Sequence, residues 1–100
     1  MIDKYKVIVT GGYSEMKISP LVFLFDTIAR KWLTKPAMPN LQDPRMSHAA
    51  CSSDRYSFVF GGVDRSNKFK NSLEMLCLKS LEERTKKKKP RWTSLVLDSL

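Results

Sequence analysis

The chain has one histidine, and the residues around it suggest a hydrolytic triad. His48 follows Ser47, and Asp43 and Asp54 lie within six residues of it. The Gly-x-Ser-x-Gly motif that presents a serine nucleophile on a tight elbow is absent from the sequence. A single histidine also excludes the zinc and copper sites that use several imidazoles. We therefore expect no catalytic residues, no metal, no cofactor and no enzymatic activity.

Two glycine pairs raise the question of phosphate binding. Gly11-Gly12 and Gly61-Gly62 each end a short apolar stretch. Glycine loops that bind phosphate continue with a third glycine or a Gly-Lys-Ser/Thr sequence and lead into a helix, and neither pair does so. The pairs are therefore predicted to be structural, because glycine tolerates positive φ and a close neighbouring backbone where a strand leaves a crowded sheet.

The two tryptophans could stack on bases or sugars, and the lysines could bind nucleic acid. Trp32 and Trp92 occupy matching places in the chain, which favours packing over ligand stacking. Residues 84–91 hold six positive charges of a net +8. Such a run is typical of a solvated loop, and its functional alternatives are a nuclear-localisation patch or binding to acidic partners. Aromatic residues are not interleaved with it, which disfavours RNA binding.

The remaining composition indicates a single intracellular domain with a modest core. Cys51 and Cys77 are predicted to be reduced core thiols on strands about 9 to 10 Å apart, too far for a disulfide. The longest apolar run is Leu21 to Phe25, so no membrane span is expected, and no signal-peptide pattern is present. We expect a cytoplasmic location, with the nucleus as the alternative.

A repeat of strands positions these residues. Its copies are related by an offset of fifty at the glycines, fifty-two at the next strand and sixty at the tryptophan, so the length differences fall in loops. A repeat of this period that contains strands is typical of a β-propeller. The matching segments are Val7 to Gly12 with Ser57 to Gly62, Leu21 to Phe25 with Leu73 to Cys77, and Trp32 with Trp92.

This order of signals resembles the kelch repeat, whose blades carry a double glycine after the second strand, an aromatic third strand and a Trp in the fourth. Pro36-Ala37-Met38-Pro39 and Arg45-Met46-Ser47-His48-Ala49 add to the resemblance. Cys77-Leu78 departs from it, because the family has an aromatic residue and Asp there, as Phe25-Asp26 supplies in the first copy. The resemblance covers about residues 5 to 97. It implies that Arg45 and His48 form hydrogen bonds near the channel.

The predicted fold is all-β, with antiparallel four-stranded blades of an incomplete kelch-type propeller of about one and three-quarter blades. Residues 1–34 form a partial blade with the second to fourth strands, 35–44 the interblade connection, and 45–100 a full blade with a lysine-rich insertion at 80–90. Apolar runs predict burial on both sheet faces. A helical stripe over 73–83 is the alternative to a strand there. The predicted strands are 5–10, 21–26, 30–34, 46–52, 56–60, 73–78 and 91–97.

The resemblance implies a protein-interaction module, a fragment of a larger adaptor or scaffold. The alternatives are binding of nucleic acid or an acidic surface through residues 84–91, and a fragment of a propeller enzyme of the galactose-oxidase type. No membrane partner is expected, and exposed blade faces predict self-association. The connections 13–20, 63–72 and 35–44 should share one face, opposite the lysine run. The residues predicted to bind an acidic peptide there are Arg65, Lys68, Phe69, Lys70 and Tyr13.

Overall fold

The computed structural model describes residues 5–14, 16–82 and 89–96, and it has nine strands and one 3₁₀ helix in that part of the chain. Its β-rich, antiparallel architecture confirms the predicted all-β class. The helix spans Leu78–Leu81. The strands are β1 Lys6–Thr10, β2 Tyr13–Ser14, β3 Lys17–Ile18, β4 Val22–Asp26, β5 Lys31–Leu33, β6 Ala49–Ser52, β7 Tyr56–Phe60, β8 Ser72–Cys77 and β9 Thr93–Val96.

Two antiparallel sheets make up the body of the molecule. Sheet I has the order β1-β4-β5, and sheet II has the order β6-β7-β8-β9. The third sheet is the small hairpin of β2 and β3, which the sequence did not predict and which projects from the connection between β1 and β4. β1 of sheet I and β7 of sheet II occupy the same place in the repeat. In sheet II, β6 pairs with the free side of β7, whereas no described strand pairs with that side of β1, so sheet I has no described counterpart of β6.

The core lies between the two sheets. Ile8 and Val22 of sheet I contact the apolar cluster that Val59, Leu76 and Trp92 form on the facing side of sheet II. Burial alternates along β8 and from Val22 to Phe25 in β4, as expected for strands with one covered face. Leu41, Leu78 and Leu81 complete this cluster at its edges.

Only one face of each sheet is covered, which corrects the expectation of burial on both faces. In the run Leu21 to Phe25, Val22 and Leu24 are buried, but Leu21 and Phe23 are exposed. The physical reason is that two sheets can cover only the faces between them. The outer face of sheet I is formed by Val7, Val9, Phe23, Phe25 and Trp32, and the outer face of sheet II by Phe58, Phe60, Leu73, Met75 and Leu95.

The structure also differs from the sequence predictions at the ends of two elements and in the exposure of the cysteines. The strand predicted at 46–52 begins at Ala49, because Ser47 adopts a left-handed conformation with φ of 56° and breaks the ladder. The end of the 73–83 stretch is helical as a 3₁₀ turn, while β8 occupies its first part. Cys51 and Cys77 are free and separated by β7, as predicted, but both are exposed and are not core thiols.

Part of the lysine-rich insertion predicted at 80–90 lies outside the described residues, since residues 83–88 are not described, and the same holds for residue 97 of the last predicted strand. Among the described residues there is no helix with the length and apolar character needed to cross a membrane.

Candidate interaction face

The four glycines all have positive φ, but only two of them require the missing Cβ. A Cβ on Gly11 would lie 2.5 Å from the carbonyl oxygen of Arg45, and one on Gly62 would lie 2.5 Å from that of Met46. A Cβ on Gly12 would meet nothing within 4 Å, and one on Gly61 would make an ordinary contact at 3.8 Å. The expected close approach is thus confirmed at one member of each pair, and the other member is needed only for its backbone conformation.

The first glycine pair joins the two sheets. The N–H of Gly12 donates to the carbonyl oxygen of Arg45 at 2.8 Å. The N–H of Arg45 donates in turn to the carbonyl oxygen of Ser19 at 3.4 Å. The second pair stays within its own sheet, where the N–H of Val63 donates to the carbonyl of Met46 at 2.9 Å. The segment before β6 is therefore held between both glycine turns.

Arg45 is fully buried and connects the turn after β7 to β8. Its Nη1 donates to the carbonyl oxygens of Gly61 and Ser72 at 3.1 and 3.0 Å, and its Nη2 donates to Ser72 Oγ at 3.0 Å. Nη2 also forms an ion pair of 2.8 Å with Glu74, whose side chain is equally buried. A buried charge is tolerated only when it is paired and hydrogen-bonded, and both conditions hold here.

Glu74 is the residue that sequence reasoning missed. Its Oε1 accepts from the N–H of Gln42 at 2.6 Å, and its Oε2 accepts from the N–H of Asp43 at 3.2 Å. One carboxylate thus fixes both Arg45 and the end of the 35–44 connection. The available signal was an acidic residue in the middle of the apolar run Leu73 to Cys77, which requires a buried cation as partner.

His48 occupies the gap between the sheets, close to both glycine turns. Its Nε2 lies 2.9 Å from Thr10 Oγ1 at the end of β1. Burial, followed by the positive charge of Arg45, lowers the pKa of His48 below its usual 6.5. The ring is therefore neutral at pH 7, and its contacts are those of a structural hydrogen-bonding residue. Ser47 is exposed, and no described contact assembles His48 with Asp43 or Asp54 into a triad.

The two tryptophans have different surroundings. Trp92 is fully buried, and its Nε1 donates to the carbonyl of Pro39 at 3.0 Å, which ties β9 to the 35–44 connection. Gln42 donates from its side chain to the carbonyl of Trp92. Trp32 packs edge-on against Phe23 and Phe25 but remains 58% exposed on the outer face of sheet I. The predicted packing role is complete for Trp92, whereas one side of Trp32 is open.

These contacts gather three connections on one side of the molecule, which we call the loop face: residues 13–20, 35–44 and 63–72. The N–H of Leu41 donates to the carbonyl of Pro20 at 2.7 Å. Nε of Arg65 donates to the carbonyl of Ile18 at 3.4 Å, and Lys70 Nζ lies 3.6 Å from Asp43 Oδ2. Each connection is therefore tied to another, as the sequence-based assignment of faces requires.

A shallow groove of about 440 Å³ runs across the loop face. Tyr13, Met16, Lys17 and Ile18 line one side of it, and Arg65 lines the other. The Tyr13 side chain is 60% exposed, and Arg65 is exposed as well. The groove thus combines an aromatic ring, a thioether and two cations.

The predicted contact residues are not equivalent on this face. Tyr13 and Arg65 line the groove, whereas Lys68 and Phe69 are exposed on the same loop as Arg65 but do not line it, with Phe69 92% exposed. The Lys70 side chain is only 15% exposed and is paired with Asp43, so its charge is partly neutralised in the free protein. The structure therefore brings together Tyr13 and Arg65 and gives Lys70 a role in fixing the connection.

Asp64 shapes the loop that carries these side chains. Its Oδ1 accepts from the N–H groups of Ser66 and Lys68 at 2.8 and 3.1 Å, an arrangement that closes a tight turn with Asn67 at φ of 60°. The hydrogen bond from the backbone N–H of Lys68 is the largest cause of the lowered pKa of Asp64. Arg65, Lys68 and Phe69 are consequently displayed by a turn with its own hydrogen bonds.

A second cleft, of about 490 Å³, lies at the opposite end of sheet II. Asp54, Arg55, Tyr56, Cys77 and Lys79 line it together with Leu78 and Glu82. It is lined by both acidic and basic side chains, so its charge does not favour one kind of ligand. The lysine run lies largely outside the described residues, and no described group of His, Cys, Asp or Glu side chains could hold a metal ion.

No protein-family model fits the sequence, and no curated protein matches it.

Proposed function

We propose that this chain is a protein-interaction module of the kelch type, part of a larger adaptor or scaffold, that binds an acidic peptide at the loop face. The observation that carries the proposal is the groove, which Tyr13 and Arg65 from separate connections line together. Two antiparallel sheets related by a repeat support the blade assignment, as does the Arg45 network between glycine turns. The sequence resemblance to the kelch repeat supports it independently.

Charge and shape favour an acidic, extended ligand. The three connections of the loop face carry five basic and three acidic side chains. Two of the acidic ones have partners in the protein, because Asp43 pairs with Lys70 and Asp64 accepts hydrogen bonds within its turn. Arg65 and Lys68 then offer charge-assisted hydrogen bonds to a carboxylate, and Tyr13 and Phe69 offer aromatic anchors.

The test uses a dye-labelled glutamate-rich peptide and measures its fluorescence anisotropy against the purified chain. Replacing Arg65 and Lys68 by Ala should weaken binding by about tenfold or more, since each lost charged hydrogen bond costs about 1.5–3 kcal/mol. The matched control removes two charges elsewhere, with Lys86→Ala and Lys87→Ala, and should leave the affinity within about twofold, a difference of about 0.4 kcal/mol.

A single-stranded RNA of equal charge serves as the competing ligand. The proposal requires the peptide to bind more tightly than the RNA. It also requires the Arg65/Lys68 variant to lose its affinity for the peptide. If RNA binds more tightly, with a steep salt dependence that disappears in the Lys86/Lys87 variant, the nucleic-acid alternative is correct and the proposal is wrong.

A further inference from the structure

Strand pairing relates the two sheets residue by residue. Val9 lies opposite Phe23 in sheet I, and Val59 lies opposite Glu74 in sheet II. The offset between the copies is therefore fifty at the first of these strands and fifty-one at the next, one fewer than the fifty-two that the sequence suggests. Phe23 is consequently equivalent to Glu74 and not to Met75.

Under this relation, the outer face of sheet I is equivalent to the inner face of sheet II. That inner face is buried against sheet I in the core, while its counterpart on sheet I is open. Residues have the same chemical character at three of the five equivalent positions: Val9 with Val59, Phe25 with Leu76, and Trp32 with Trp92. At the other two, Val7 is equivalent to Ser57 and Phe23 to Glu74, so sheet I has an apolar side chain where sheet II has a polar one.

The outer face of sheet II also has an equivalent in the other sheet. The outer face of sheet II is equivalent to the inner face of sheet I, which is the surface that sheet II covers inside the molecule. Three of the five positions are apolar in both sheets: Phe58 with Ile8, Leu73 with Val22, and Met75 with Leu24. At the other two, Phe60 is equivalent to Thr10 and Leu95 to Lys35.

We propose that copies of this chain associate head to tail, with the outer face of sheet I in one copy packed on the outer face of sheet II in the next. The contact would repeat the sheet-to-sheet packing already present in each chain, because each open face is equivalent to one partner of that packing. Such an interface is heterologous, so it closes into a ring or continues as an open array according to its rotation. The proposal rests on strand pairing and burial, and does not depend on the binding of an acidic peptide at the loop face.

Salt dependence separates this association from the binding of acidic ligands. The contact is apolar, and each copy carries a net charge of +8 that opposes association. Added salt screens this repulsion and should strengthen self-association. Binding of an acidic peptide at the loop face should instead weaken as salt is raised.

The experiment blocks one face at a time and measures mass by analytical ultracentrifugation over a range of concentrations. Phe23→Glu places a charge on the outer face of sheet I, and Leu95→Glu places one on the outer face of sheet II, where both side chains are about half exposed. Ile28→Glu is the matched control, because Ile28 is 70% exposed in a turn outside both faces. Circular dichroism establishes that each variant is folded, and Val9→Glu and Met75→Glu replace any that is not.

The parent chain and Ile28→Glu should form multimers, and each face variant alone should sediment at the 11.5 kDa mass of one chain. An equimolar mixture of the two face variants should form a species of twice that mass, because each variant retains the face that the other has lost. Three results would overturn the proposal: a monomeric parent chain at millimolar concentration, a face variant that dimerises alone, or a mixture that stays monomeric.

Discussion

At the residue scale, Arg45 and Glu74 determine how the loop face is held. Their ion pair is fully buried, and both Nη atoms and both carboxylate oxygens make further hydrogen bonds, to Gly61, Ser72, Gln42 and the backbone of Asp43, whereas Arg45 Nε has no described partner. Loss of one partner would leave an uncompensated buried charge, which is far more costly than loss of a surface ion pair. The ion pair therefore fixes the end of the 35–44 connection, which is one of the three connections of the loop face.

The asymmetry of the glycine pairs gives a prediction with an internal control. Gly62→Ala should lower the free energy of unfolding by more than about 3 kcal/mol, because it combines a left-handed conformation with a Cβ that would lie 2.5 Å from the Met46 carbonyl oxygen. Gly12→Ala has the same kind of φ but open space around the Cβ, so it should cost only about 1–2 kcal/mol. Urea denaturation of both variants measures the difference, and equal losses would contradict the assigned close approach.

At the scale of elements, His48 joins sheet I to the segment before β6, and we expect the stability of this contact to depend on pH. The unfolded chain protonates this ring near pH 6.5, whereas the folded chain does so only at a lower pH. Between the two pKa values the unfolded state binds more protons, so the free energy of unfolding falls as the pH drops from about 6.5 through the lowered pKa. Above that window the contribution is fully present.

Chemical denaturation at pH 7.5, 6.5 and 5.5 checks this expectation. His48→Gln removes the titrating group and keeps a side chain that can hydrogen-bond to Thr10, so its stability should change less over that range. A parent chain whose stability is constant between pH 7.5 and 5.5, or a variant with an identical slope, would show that His48 is not the responsible group.

The sequence predicts the strands well because their signals are local. Residues 56–60 match β7, and the apolar run ending at Phe25-Asp26 matches β4 to within a residue. The register between the copies, the β2–β3 hairpin and the partner of Arg45 depend on contacts between segments far apart in the chain, so they were missed. Exposure of Cys51 and Cys77 was also missed, since it depends on which face another sheet covers.

The loop face was predictable in outline for the same topological reason. Successive connections in an antiparallel sheet alternate between its ends, which places residues 13–20 and 63–72 together. The groove between Tyr13 and Arg65 and the pairing of Lys70 with Asp43 required the folded geometry. Of the five predicted contact residues, Lys70 is the one whose charge the protein already uses.

At the scale of the whole molecule, the two proposed activities use different surfaces. The loop face lies at the ends of the strands, whereas self-association uses the outer faces of the sheets. A chain in a head-to-tail assembly would therefore keep its loop face accessible, and copies held side by side would present several grooves at once. Multivalent display of this kind raises avidity without any new contact.

The measurement that tests the central claim most directly is an NMR titration of the ¹⁵N-labelled Phe23→Glu variant with the glutamate-rich peptide. This variant should prevent the proposed self-association, and its substitution lies outside the loop face. We predict that the largest amide shift changes occur at Tyr13, Lys17, Arg65, Lys68 and Phe69. Changes confined to the lysine run and residues 89–93, with the loop face unaffected, would contradict the account.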